Sequence, residues 1–136
     1  MRVFFDTNVL ASAFTARGLC AELYEAVTLN HELVIGEPVI EELLRILAGK
    51  LKVPRAKLTA LQSELAEFER VPGAAVRYPR SIRDPADNAI LDCAIAARVD
   101  VFVTGDKALL ELATVENMPV LSPRQLWEKL VQERAI

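Results

Sequence analysis

Three short apolar runs punctuate the chain: Val3-Phe4-Phe5, Leu33-Val34-Ile35 and Val101-Phe102-Val103. Between them lie longer stretches whose apolar residues fall at helical spacing. Short apolar strands alternating with helices specify a parallel sheet covered by helices on both faces. With 136 residues there is material for one core and too little for two. Residues 1–136 are therefore expected to form a single α/β domain, three layers in α/β/α order. Its central parallel sheet should have about four to five strands. Pro119–Leu121 and, more weakly, residues 74–76 are the further strand candidates.

The helical segments follow from their breakers. Asn8 to Phe14 is helix-compatible, Gly18 interrupts, and Leu19–Leu29 ends at Asn30-His31. Pro38 suits a first helical turn, and Val39, Ile40, Leu43, Leu44 and Leu47 form the stripe behind it. Pro54 opens a helix with Leu58, Leu61, Leu65 and Phe68 inside, broken by Pro72-Gly73. Asp84-Pro85 reads as an N-cap and first turn of a helix to about Arg98, built almost wholly of Ala, Ile and Leu and so central. Ala108–Ala113 is expected to be helical. A closing helix after Ser122-Pro123 has Leu126, Trp127, Leu130 and Val131 as its inner face. Leu126, Trp127 and Leu130 also supply more apolar surface than one small core needs, which makes a homodimer the expected assembly.

No apolar run approaches the ~18 residues of a membrane span. The N-terminus reaches Asp6 too soon for a signal peptide. A cytoplasmic protein with no membrane partner is expected, with Cys20 and Cys93 as buried free thiols rather than a disulfide.

Four acids fall where a sheet of this kind gathers them: Asp6 in V-F-F-D-T-N, Glu42 in I-E-E-L-L, Asp87 in R-D-P-A-D-N and Asp106 in V-F-V-T-G-D. A carboxylate just past the end of a parallel strand lies on the rim where α/β folds place their sites. Carboxylates sharing a rim repel unless cations hold them, so the pattern points to Mg²⁺ or Mn²⁺. Each acid also has a plainer reading. Asp6 and Asp106 can cap helices, although Thr7 and Asn8 could take that task from Asp6 and leave Asn8 as a hydrogen bonder behind it. Asp87 occupies a capping-box position behind Asp84. Glu41 and Glu42 flank the apolar stripe from opposite sides, and periodicity does not choose between them. Asp92, about 140° round the helix from Asp87, reads as solvated or helix-bonded. Gly105 before Asp106 permits a tight turn, and Thr104 places a hydroxyl beside the carboxylate.

The single histidine, His31, cannot build a His-rich zinc site, and no nucleophile elbow or glycine-rich phosphate loop stands out. A metal-activated water is then the natural nucleophile. The formal charge of −3 does not exclude a polyanionic substrate. Without the four acids it becomes +1, and bound cations would offset the acids themselves.

D-T-N after the first strand, E-L on the third helix, D-P-A-D-N opening an Ala-rich helix, and V-T-G-D-K followed by L-L together resemble a PIN domain. They are most similar to the toxin branch of toxin–antitoxin pairs, the VapC-type ribonucleases, and the similarity covers essentially the whole chain. The resemblance implies a Mg²⁺- or Mn²⁺-dependent endoribonuclease with Asp6, Glu42, Asp87 and Asp106 as catalytic metal ligands. Its register favours Glu42 over Glu41. It gives Asn8, Thr104 and Asp84 supporting roles, makes RNA the substrate, and makes an antitoxin protein a possible partner. Two basic groups then become candidates for holding phosphates: Lys50, Lys52, Arg55 and Lys57, and the loop of Arg77, Arg80 and Arg83. Arg80 and Arg83 are preferred because their loop leads into Asp87. The alternatives are a catalytically weak PIN-like module that binds RNA or protein, and a phosphatase of the haloacid-dehalogenase type. The latter wants an Asp where this chain has Asn8.

Overall fold

The computed structural model describes residues 1–73 and 85–134. Its first strand, β1 (Arg2–Phe5), is apolar on both faces, with Val3, Phe4 and Phe5 buried, as a central parallel strand must be. Helices α1 (Thr7–Thr15) and α2 (Leu19–Asn30) follow, separated at Gly18, whose φ of 155° suits glycine. Strand β2 (Glu32–Gly36) leads directly into α3 (Glu37–Arg45), which continues as a π-helical turn, Ile46–Lys50. Then come α4 (Arg55–Leu65), β3 (Glu69–Val71) and α5 (Pro85–Ala96). The chain closes with β4 (Val101–Val103), α6 (Lys107–Leu110), β5 (Thr114–Val115), β6 (Met118–Leu121) and α7 (Pro123–Arg134).

The strands form one sheet in the order β3-β2-β1-β4-β6-β5. Five are parallel, and β5 adds an antiparallel edge against β6. The expected α/β class and parallel centre are therefore observed. Phe4 and Phe102 stack across β1 and β4 with ring centroids 5.5 Å apart. Ile90 to Ala94 of α5 are buried in succession, which an amphipathic helix does not show, so α5 is central as its composition implied.

Several local expectations change. Residues 69–71, read as the end of a helix broken at Pro72-Gly73, form edge strand β3. Glu69-Arg70-Val71 has no apolar pattern; pairing with β2 and the ion pair of Arg2 with Glu69 hold it. The helix expected over Ala108–Ala113 spans only Lys107–Leu110, because Ala113, Glu116 and Asn117 take positive φ and turn the chain into the β5–β6 hairpin. On α7, Leu126 and Leu130 are core residues and Val131 is 50% exposed. Leu126 is thus no part of the apolar surface near α7, and Leu130 reaches it only at its edge. That surface is Val131 with Leu29 of α2, which with Trp127 line a groove of about 520 Å³. The strand candidate at 74–76 lies outside the described residues. Cys20 and Cys93 form no disulfide; Cys93 is buried as expected, whereas Cys20 is only half-buried.

Gly36 joins β2 to α3 under tight packing. A Cβ there would lie 3.0 Å from Phe4 Cζ, 3.3 Å from Phe4 Cε2 and 3.4 Å from Cys93 Cβ. Both neighbours belong to buried elements, so neither yields freely. Gly36→Ala should lower the unfolding free energy by about 1–3 kcal/mol. Urea denaturation checks this, and an unchanged midpoint would show that the β2–α3 junction has slack.

Candidate active site

In this sheet β1 is the switch point: the chain returns to β2 on one side of it and to β4 on the other. The crevice outside the carboxyl ends of β1 and β4 is where an open parallel sheet receives its ligand. Asp6 directly follows β1, and Asp106 lies three residues past β4. The ladder is carried one step further by the Asp6 amide, which donates to the Val103 carbonyl at 2.8 Å, so Asp6 is fixed against the end of β4.

The Asp6 side chain is 5% exposed and both its oxygens are bonded. The Thr7 amide donates to Oδ1 at 2.8 Å, and the Thr104 hydroxyl donates to Oδ2 at 2.7 Å. Asp6 is therefore itself the N-cap of α1; Thr7 and Asn8 do not take that task from it. Asn8 instead ties the opposing turn down, its Oδ1 accepting from the Gly105 amide at 3.4 Å. Thr104 is buried and works in both directions, since its hydroxyl also accepts from the Asp106 amide at 3.1 Å. Thr104 thus contacts both Asp6 and Asp106, and Asn8 contacts the turn between β4 and α6. Gly105 takes no positive φ, and a Cβ there would meet only an ordinary contact with Asn8 Oδ1 at 3.8 Å. The tight-turn reason expected for it does not hold.

Asp106 caps α6: its Oδ1 accepts from the Ala108 amide at 2.8 Å and the Leu109 amide at 3.4 Å. Its other oxygen has no hydrogen bond among the described residues. Burial pushes the Asp6 carboxyl above its usual range; the bonds from Thr104 and Thr7 pull the other way, and the negative charge of Asp106 raises it further. The two acids therefore sense each other directly. Next to them the Thr7 hydroxyl is buried with no hydrogen-bond partner among the described residues.

The other two acids come from helices. Glu42 is half-buried on α3, which packs against α1 and α5, whereas Glu41 is exposed. Burial thus separates the two glutamates that periodicity left equal. Asp87 is half-buried in the first turn of α5, the third residue as expected. Asp84, Arg80 and Arg83 lie outside the described residues. Asp92 is 3% exposed and engaged by neighbouring groups, so it is not solvated. The signal was available in the nearly unbroken Ala, Ile and Leu around it, which marks this stretch of the helix as buried.

Among the described residues, no three acidic, histidine or cysteine side chains gather closely enough to cage an ion by themselves. The Asp6–Asp106 pair nevertheless fits a hard cation. Magnesium commonly takes one or two carboxylates and fills its remaining positions with water and substrate phosphate. A buried carboxylate destabilised by a second one is the electrostatic setting that such an ion relieves.

A family model described as PIN domain matches residues 2–108. The chain belongs to the PIN-domain family. Solved structures agree on the fold. A chain of the VapBC2 complex from Rickettsia felis, bound to a DNA fragment from its promoter, superposes with a TM-score of 0.67 at 18% identity, over 90% of this chain and 98% of that one. A toxin–antitoxin complex from Klebsiella pneumoniae gives 0.66 at 20%, over 89% and 97%. The PIN domain endonuclease Utp24 gives 0.54 at 23%, over 89% and 84%. Among curated proteins no sequence matches this one. Within the PIN fold seen here, the two acids that follow β1 and β4 stand at its switch point. No helix among the described residues is long and apolar enough to cross a membrane.

The raised Asp6 pKa has a definite pH signature. The folded state holds the Asp6 proton more tightly than the unfolded chain, whose value is near 3.8. The resulting stabilisation is full below that value and is lost as pH rises through the folded one. The unfolding free energy of wild type, minus that of Asp6→Asn, should fall as pH rises above about 4 in metal-free buffer. A difference that is flat or rises with pH would mean that the carboxylate is not destabilised. Thr104→Val removes the bond that opposes the shift and strands the Asp106 amide. It should cost about 1–3 kcal/mol and raise the Asp6 titration further, as read by carboxyl NMR.

Proposed function

We propose that this PIN domain is a divalent-metal-dependent endoribonuclease of the toxin type. The observation that carries the reading is the buried Asp6 carboxyl. Burial raises its pKa and the charge of Asp106 adds to that, while Thr104 holds it at the switch point, with no cation paired to it among the described residues. Asp6 and Asp106 would hold a Mg²⁺ or Mn²⁺ ion, with Glu42 and Asp87 as the further acids from α3 and α5. When bound, that ion supplies activation of water and neutralisation of phosphate charge.

The chain's own residues do the positioning. Thr104 and the Thr7 amide fix both oxygens of Asp6, so the carboxylate presents one orientation to the crevice. The α6 cap fixes Asp106 through Oδ1 and leaves Oδ2 toward a ligand. Asn8 holds the Gly105 amide, which keeps the β4–α6 turn against α1. Such preorganisation matters because a rotating carboxylate would have to be ordered at each encounter.

RNA is proposed as substrate from the resemblance of the D-T-N, D-P-A-D-N and V-T-G-D-K segments to VapC-type ribonucleases. An antitoxin partner is supported by neighbours solved as toxin–antitoxin complexes, including a VapBC complex from Salmonella typhimurium bound to DNA. A small DNA-binding protein encoded beside this chain, co-purifying with it and suppressing cleavage, would be the expected form of that partner.

Purified protein should cut RNA with Mg²⁺ or Mn²⁺ and lose that activity in EDTA. Asp6→Asn, Glu42→Gln, Asp87→Asn and Asp106→Asn should each reduce cleavage by about 10²-fold or more, while Glu41→Gln stays near wild type. Cleavage at the same rate in chelator would overturn the metal reading. Glu41→Gln proving severe and Glu42→Gln mild would reverse the assignment on α3.

A further inference from the structure

The helix that carries Glu42 ends in a concentration of positive charge. Arg45, Lys50, Lys52, Arg55 and Lys57 are all exposed, and none is ion-paired among the described residues. No acidic residue lies between Glu42 and Glu64. Take these five cations from the 16 lysines and arginines and 11 remain against 19 acids, a formal charge of −8. An acidic protein that holds five unpaired cations on one stretch has a surface suited to a polyanion.

Local helix stability does not account for the cluster. Arg45 and Lys50 near the end of the α3 rod are favoured by its dipole. Arg55 and Lys57 are in the opposite situation. They stand in the first turn of α4, where positive charge opposes the dipole, and no acidic residue offsets them there. Lys52 adopts a left-handed φ of 51°, which glycine or asparagine would adopt more easily. The turn is nonetheless well fixed. The Leu51 amide donates to the Ile46 carbonyl at 3.0 Å, and the Val53 amide to the Leu47 carbonyl at 2.8 Å. Leu47 itself is buried in the core.

Position ties this patch to the site. Helix α3 starts at the carboxyl end of β2, beside the end of β1 that delivers Asp6. Arg45 is one turn beyond Glu42 on the same helix face, about 5 Å along the axis, and Lys50 is about 12 Å along it.

We propose that Arg45, Lys50, Lys52, Arg55 and Lys57 form a phosphate-binding track that holds the RNA strand on one side of the scissile bond. The track is a substrate-positioning surface for the nuclease proposed above and rests on that reading. It does not touch the reacting phosphate, so it governs affinity and the length of strand engaged, not the chemical step.

The test measures binding and cleavage separately. Binding of a fluorescent single-stranded RNA is followed against salt in an Asp6→Asn background. The track variant is Arg45→Gln, Lys50→Gln, Lys52→Asn, Arg55→Gln and Lys57→Gln together, asparagine being chosen for the left-handed position. Arg124→Gln with Lys129→Gln on α7 is the control for simple removal of charge. The track variant should bind at least about tenfold more weakly at low salt, with a salt slope smaller by ~0.7 for each phosphate that is no longer neutralised. The control should change neither. In the otherwise wild-type enzyme the track variant should raise KM and leave kcat within about twofold. A thermal melt matching the parent establishes that the variant is folded; if the fivefold variant melts early, Lys50→Gln with Lys57→Gln carries the same test. Unchanged affinity and slope would overturn the track while cleavage by the parent leaves the nuclease reading standing. Weakened RNA binding in a protein that never cleaves would overturn the nuclease reading and keep the surface. Polyglutamate competing as well as RNA of equal charge would assign the patch to an acidic protein and overturn the RNA track.

Discussion

The site depends on one arrangement: β1 lies between β2 and β4 with all three parallel. Parallel strands end on the same rim, and the strand from which the chain departs in both directions leaves a crevice there. Because Val3, Phe4 and Phe5 must be buried on both faces, β1 cannot slip in register without moving Asp6. The ladder bond from the Asp6 amide to the Val103 carbonyl transmits that constraint to the first residue past the strand. The position of the acid is therefore set by core packing, and core packing is the least compliant part of a small domain.

Burying a carboxylate beside another acid is unfavourable, and the raised Asp6 pKa expresses it. The two aspartates lessen this cost by capping helices. Each gives an oxygen to backbone amides at a helix start, where partial positive charge favours an anion. Capping and metal binding are thus not rival explanations for Asp6 and Asp106. The cap holds the carboxylate still and partly solvates it, and the remaining repulsion is what a cation would relieve.

What could be read in the sequence follows the strength of the local physical signal. β1, β2 and β4 were legible because they are buried runs bounded by turn residues. The acids after β1 and β4 were legible because strand ends fix their place. Edge strand β3 was not, since Glu69-Arg70-Val71 is stabilised by pairing with β2 and by Arg2, both distant in sequence. The β5–β6 hairpin hid behind positive-φ residues, Ala113, Glu116 and Asn117, of which only asparagine advertises that conformation. On α3, periodicity put Glu41 and Glu42 at equal distances from the stripe. Only packing against α1 and α5 shows that Glu42 lies on the half-buried side. Of the two readings of Asp92, solvated or helix-bonded, burial removes the first, because a wheel angle assumes a wet face and α5 has none along Ile90–Ala94.

Helix α3 has to satisfy three demands on one short rod. Its apolar side, Val39, Ile40, Leu43 and Leu47, anchors it in the core. Glu42 rides half-buried beside that stripe. Its far end widens into a π-helical turn that carries Lys50 and leads to Lys52. A π-turn inserts an extra residue per turn and so changes the direction in which the following side chains point. It lets the chain leave α3 at a new angle while Leu47 stays buried. Here the widening coincides with the passage from acidic to basic surface. One continuous helical element then joins the core, the candidate acid and the first two of the cations, Arg45 and Lys50.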